Sequence, residues 1–236
     1  MKLNLFIPLL FSSCQPISHW VGSDEIVLDK AFIPQGGQSA HPEQSFQYCL
    51  LTYRFQKQQK PFPLLVALHG AGGNGRDYLE FWQEEARRHH FMILAPTYGK
   101  DRDLDPQDLF PLINDVLTKY AVDQHRIFLV GSSAGAYAAR ILVEENPSLW
   151  RGAIFVSAPF AEKAGAGRKW EQLPPVLFVH GKKDIYKIKS IIESVKLLRR
   201  HGVQAELIVD PKAGHGVGSE WNGKIFKWIQ WVETHS

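Results

Sequence analysis

Short apolar runs bounded by turn residues recur along the chain, at Leu64–Leu68, Met92–Ala95, Ile127–Val130, Ala153–Val156, Val176–Val179 and Ala205–Val209. They lack the polar alternation of a half-solvated strand, so they suit strands buried on both faces, as in a parallel sheet. Phe46–Tyr53 is more polar and reads as an antiparallel edge strand. Helical patterns fill the intervals. Asp77 to His90 has Glu84 and Arg88 at i,i+4 and ends on basic residues. Asp105 reads as an N-cap with Pro106 at the first helical position, and Leu109, Ile113, Val116, Leu117 and Tyr120 behind it make one apolar face. Ala134 to Asn146 is helical and ends before Pro147. Lys189 to His201 carries Ile192, Val195, Lys196 and Arg199 in sequence, with Gly202 at its end. Glu220 to Thr234 places Trp221, Ile225, Trp228, Ile229 and Val232 on one face. This alternation predicts an α/β fold, with helices on both faces of a mostly parallel sheet. Ligands bind such sheets at the carboxyl ends of the strands, so chemistry is expected in the loops that follow them.

Composition narrows the picture only a little. A length of 236 residues with 44% hydrophobic and 22% charged positions fits one globular domain. The net charge of +3 is too small and too dispersed for nucleic acid, and Arg87-Arg88 and Arg199-Arg200 close helices, where cations meet the negative end of the dipole. Cys14 and Cys49 give neither a disulfide framework nor zinc-ligand spacing, so no metal site is expected. Cys14 follows Lys2, the apolar run Leu3 to Phe11, and Ser12-Ser13. That is a short signal-peptide pattern, and small residues before a cysteine resemble a bacterial lipobox, with Phe11 where leucine is usual. The run is too short to span a bilayer. Two readings stay open: a protein exported to the cell envelope and anchored through a lipidated Cys14, or a cytoplasmic protein whose first residues pack on the domain. Residues 1–14 are read as the signal segment, 15–45 as an N-terminal extension and 46–236 as the main domain.

Four strand ends carry the candidate chemistry. Gly131-Ser132-Ser133-Ala134-Gly135 lies between the strand Ile127–Val130 and a helix. Gly-x-Ser-x-Gly in that setting is a nucleophile elbow, in which glycines relieve a tight turn that thrusts the serine above the sheet. Ser132 is the rival serine, without symmetric glycine flanks. His69-Gly70-Ala71-Gly72-Gly73 follows Leu64–Leu68 and suits an oxyanion loop. The donors are assigned to the Ala134 and Ala71 N–H groups, with Gly72 in reserve, and His69 to orienting the loop. Asp184, after Val176–Val179, can accept from an imidazole and fix its tautomer; Asp210, at the end of the next strand, is the rival acid. His215, between Gly214 and Gly216 in the loop after the last strand, is placed to act as general base.

These motifs, with the stretch from Tyr120 to Gly135, resemble the serine esterases of the α/β-hydrolase superfamily. They are most similar to the polyhydroxybutyrate depolymerase and feruloyl esterase-like group and to the phospholipase/carboxylesterase group. The chain order Ser133, Asp184, His215 is the one that superfamily uses. Ala136 stands where many relatives have another glycine. The resemblance implies an α/β-hydrolase fold and ester hydrolysis with no metal or organic cofactor. About twenty residues separate Val156 from Val176, too few for a large cap domain, so an open site is expected. Its substrate is then a small-molecule or polymer-borne ester, with Trp82, Tyr98, Phe160 and Tyr186 as candidate contacts. A serine peptidase of prolyl-oligopeptidase type, an acyltransferase and a non-catalytic ligand-binding fold are the alternatives.

Overall fold

All six apolar runs are strands. In the computed structural model, which describes residues 18–20, 25–32, 46–53, 60–98, 106–160 and 170–235, they form β4 (Phe62–Leu68), β5 (Met92–Thr97), β6 (Val122–Ser132), β7 (Gly152–Val156), β8 (Val176–Gly181) and β9 (Ala205–Asp210). Three strands precede them: β1 (Ser18–Trp20), β2 (Glu25–Phe32) and β3 (Phe46–Tyr53). One sheet holds all nine in the order β1-β2-β3-β5-β4-β6-β7-β8-β9. From β5 to β9 every pairing is parallel, and the pairings of β3 with β5 and with β2 are antiparallel.

The polar pattern of β3 predicts an edge strand, with residues 15–45 as an extension. In the structure β2 pairs along the whole of β3, from Glu25 opposite Tyr53 to Phe32 opposite Phe46, so β3 is internal. Asp29 and Lys30 interrupt the apolar positions of β2, so it shows no continuous apolar run. Residues 1–14, with Cys14, lie outside the described residues, as does Asp105.

Five helices cover the sheet: α1 (Gly75–Arg88), α2 (Leu109–Lys119), α3 (Ala134–Glu145), α4 (Ile188–Arg200) and α5 (Asn222–His235). The central strands divide their side chains between two cores. Leu64, Val66 and Leu68 face α2, α3 and α4, while Leu65 and Ala67 face α1 and α5. Period-two geometry makes that division, and burial on both faces explains why the strands read as unbroken apolar runs. Two helix faces differ from expectation. In α4 the buried residues are Ile191, Ser194, Val195 and Leu198, while Ile192 is 36% exposed. In α2 Leu112 joins Leu109, Ile113 and Val116 in the core, with Leu117 and Tyr120 only partly buried. No cap domain and no helix long and apolar enough to cross a membrane occur among the described residues.

Two candidate substrate contacts belong to these cores. Trp82 has no exposed surface and packs edge-on to Tyr78 and Phe81, with Phe226 beyond. Phe160 is 2% exposed and meets Phe155 and Trp170 edge-on. Each lies near a strand end in sequence, but its side chain turns into the layer between sheet and helix. Trp82→Ala should therefore destabilise the fold by about 3–5 kcal/mol through lost burial and a cavity, read as a lower midpoint in denaturant unfolding. A substrate wall would instead lose affinity with little change in stability.

Candidate active site

At the end of β6 the chain turns so sharply that Ser133 takes φ 52° and ψ −115° before α3 begins at Ala134. Positive φ at a non-glycine residue costs on the order of 1–3 kcal/mol and persists only where the surroundings enforce it. Here the Ser133 N–H donates to the Val156 carbonyl at 2.9 Å. Both glycines of the motif are needed for close approach. A Cβ at Gly131 would lie 2.3 Å from the Gly135 carbonyl oxygen, and one at Gly135 would lie 2.2 Å from that of Leu68. Burial pushes the phenol of Tyr78, on α1, above its ordinary range.

His215 reaches Ser133 from the loop after β9. Its Nε2 is 2.8 Å from Ser133 Oγ, and its Nδ1 is 2.9 Å from Asp184 Oδ1. An ionised carboxylate can only accept, so Nδ1 carries the proton and Nε2 is free to accept from the serine hydroxyl. The Asp184 side chain has no exposed surface. Burial alone would raise its pKa. The Tyr186 N–H, at 2.9 Å from Oδ1, together with His215 and the Ser157 hydroxyl, outweighs burial and holds the carboxyl below its ordinary value. Its Oδ2 meets no donor at hydrogen-bond distance among the described residues; His180 Nδ1 is 3.6 Å away. His180 is buried and donates from Nε2 to the Tyr186 carbonyl at 3.1 Å, which braces the acid loop.

The loops of acid and base are tied together. Lys182 N–H donates to the Asp210 carbonyl at 2.7 Å and Lys183 N–H to the Ala213 carbonyl at 3.0 Å. Asp210, the rival acid, organises the base loop: Oδ1 accepts from the Lys212 and Ala213 N–H groups, and Oδ2 from the Trp221 indole. Ser157 was not anticipated. It is fully buried at φ 56°, and its Oγ accepts the Gly216 N–H at 2.8 Å, next to the base. Its one sequence signal is its place, immediately after β7.

The loop after β4 passes beside Ser133, close enough that a Cβ at Gly70 would sit 3.4 Å from that of the serine. Gly73 N–H donates to the Gly70 carbonyl at 3.1 Å across a turn with Gly72 at φ 75°. No described backbone acceptor takes the Ala71 or Gly72 N–H, and Ala134 N–H stands in the unpaired first turn of α3. His69 anchors the loop. Its Nδ1–H donates to the Gly70 carbonyl at 2.7 Å, and its Nε2 accepts the Tyr98 N–H at 3.3 Å. Burial lowers its pKa, which favours the neutral ring these bonds require. Tyr98 stacks on that ring at 4.1 Å and donates its hydroxyl to the His69 carbonyl, so it supports the loop. Of the four candidate substrate contacts, Tyr186 alone stands beside the triad, its ring 5.6 Å from that of His215. A groove of about 520 Å³ between α2 and the end of α3, lined by Phe110, Leu117 and Leu149, contains none of these residues.

A family model described as "Alpha/beta hydrolase family" matches residues 65–189, more than half of the chain. The chain belongs to the alpha/beta hydrolase family. Within this family it is similar to Feruloyl esterase B of Talaromyces stipitatus, 24% identical over 122 residues that make up 44% of this chain and 34% of the relative. The match thus spans about a third of the length of the curated relatives. Among solved structures, S-formylglutathione hydrolase (FrmB) from Staphylococcus aureus aligns with a TM-score of 0.70 at 15% identity, over 89% of this chain and 99% of that one. A putative dipeptidyl aminopeptidase IV from Bacteroides ovatus aligns with a TM-score of 0.71 at 14% identity, over 88% of this chain and 36% of that one. At such identities the structural likenesses speak for the alpha/beta hydrolase fold.

The base loop carries a pH dependence. The Asp210 carboxyl is held below its ordinary value first by the Lys212 N–H and, against a burial penalty, by the Ala213 N–H, Trp221 and Lys224. A depressed pKa contributes stability that is present above the unfolded value, about 3.9, and is lost as pH falls through the lower folded value. Asp210→Asn should melt lower than the parent at pH 7 and lose less further stability below about pH 4. Thermal melts from neutral to acidic pH check this; parallel curves would contradict it.

Proposed function

We propose that the protein is a serine hydrolase that cleaves carboxylic esters through an acyl-enzyme on Ser133. The observation that carries this reading is the single imidazole of His215 bridging Ser133 Oγ at 2.8 Å and the buried Asp184 carboxylate at 2.9 Å. His215 Nε2 takes the hydroxyl proton as Oγ attacks the ester carbonyl carbon. The carbonyl π pair moves onto oxygen, and the Ala71, Ala134 and Gly72 N–H groups are the donors for that oxyanion. On collapse the C–O bond to the alcohol breaks, and His215 returns the proton to the leaving oxygen. Water then attacks the acyl-enzyme by the same route and releases the acid and Ser133. Asp184 stays ionised throughout and stabilises the imidazolium.

The relatives named Feruloyl esterase B support ester cleavage and make feruloyl esters sensible first substrates. An acyltransferase would use the same acyl-enzyme with another alcohol in place of water. The test is hydrolysis of p-nitrophenyl esters from acetate to long acyl chains, and of methyl ferulate, by the native protein and by Ser133→Ala. The variant should lose on the order of 10⁴-fold or more in kcat. Native protein inert on every ester, or an unimpaired variant, would overturn the reading.

A further inference from the structure

The loops that carry Asp184 and His215 form a rim with a net positive charge. Residues 182–189 read Lys-Lys-Asp-Ile-Tyr-Lys-Ile-Lys, and the base loop adds Lys212. Lys182, Lys183, Lys187, Lys189 and Lys212 are all exposed, and none forms an ion pair among the described residues. Asp184 and Asp210 offset part of this charge, but both are buried and turned inward, Asp184 to His215 and Asp210 to Trp221 and the loop amides, so the exposed face of the rim stays positive. Lys187 and Lys189 also crowd the positive end of α4, whose first turn has no acid. Cations there oppose the helix dipole, whereas Arg199 and Arg200 at the other end of α4 follow it. A local arrangement that costs stability is expected where binding, not folding, sets the sequence. In the middle of the rim stands Ile185, 78% exposed and next in the chain to Asp184.

We infer that this rim selects esters that carry a free carboxylate beyond a short apolar chain, the charge meeting the lysines and the chain lying over Ile185. The inference rests on the ester reading above. Exposed charges act through water over about 8–10 Å at moderate salt, so the preference is set by ionic strength.

Two matched pairs of esters test it, one with the charge on the acyl half and one with it on the alcohol half. They are mono-p-nitrophenyl adipate against p-nitrophenyl hexanoate, and 4-acetoxybenzoate against 4-acetoxybenzamide. In low salt, kcat/KM for the charged member of at least one pair should exceed that of its neutral partner by roughly three- to tenfold. The ratio should fall towards unity in concentrated sodium chloride, and in Lys182→Gln/Lys183→Gln/Lys187→Gln. Lys182→Glu/Lys187→Glu should invert it. Because both esters are read on one preparation, the ratio is insensitive to the fraction of folded enzyme. Ratios near unity that ignore salt in both pairs, or a preference that survives the substitutions, would overturn the inference. Inactivity on all four esters would instead remove the ester reading beneath it.

Discussion

The backbone of Ser133 cannot relax without dismantling the junction of three strands and a helix. Its positive φ is enforced by the close approach of Gly131 to Gly135 and of Gly135 to the end of β4, and by the hydrogen bond to Val156 on β7. The same crowding brings the Gly70 loop against the serine. The position of Ser133 and the position of the Gly70 loop are thus one constraint. A side chain at either motif glycine would break both.

The other two functional groups depend on loops, and loops need bracing to hold an imidazole at hydrogen-bond distance. Here the bracing is shared. The acid loop leans on the base loop through Lys182 and Lys183, Asp210 gathers the base loop, and Ser157 grips it beside His215. Two imidazoles near the site act as supports: His69 fixes the Gly70 loop and His180 the turn after Asp184. Under the proposed function, these supporting bonds hold Ser133, Asp184 and His215 in place before substrate arrives.

The parts legible in the sequence were those governed by local rules. Apolar runs marked the central parallel strands because both their faces are covered, whereas β9 at the edge, with Glu206 in its run, is only partly buried; Gly-x-Ser-x-Gly between strand and helix marked Ser133. The chain order of strand ends pointed to Asp184 and His215. Properties set by direction in space were not legible. Trp82 and Phe160 lie near strand ends, but whether such a side chain points up to the site or inward to the core depends on packing. Position along α4 did not show that Ile191, not Ile192, faces the sheet, since both are apolar neighbours. β2 escaped notice because charged residues break its pattern, and Ser157 because one serine after a strand carries no motif.

The account stands on Ser133 being the nucleophile, made reactive by His215. Labelling with a fluorophosphonate, followed by mass spectrometry of the peptides, tests this most directly. The account predicts one phosphonyl group per chain, located on Ser133 and not Ser132, with labelling slowed by orders of magnitude in His215→Ala. Label on another residue, no label on folded native protein, or equal rates in the variant would contradict it.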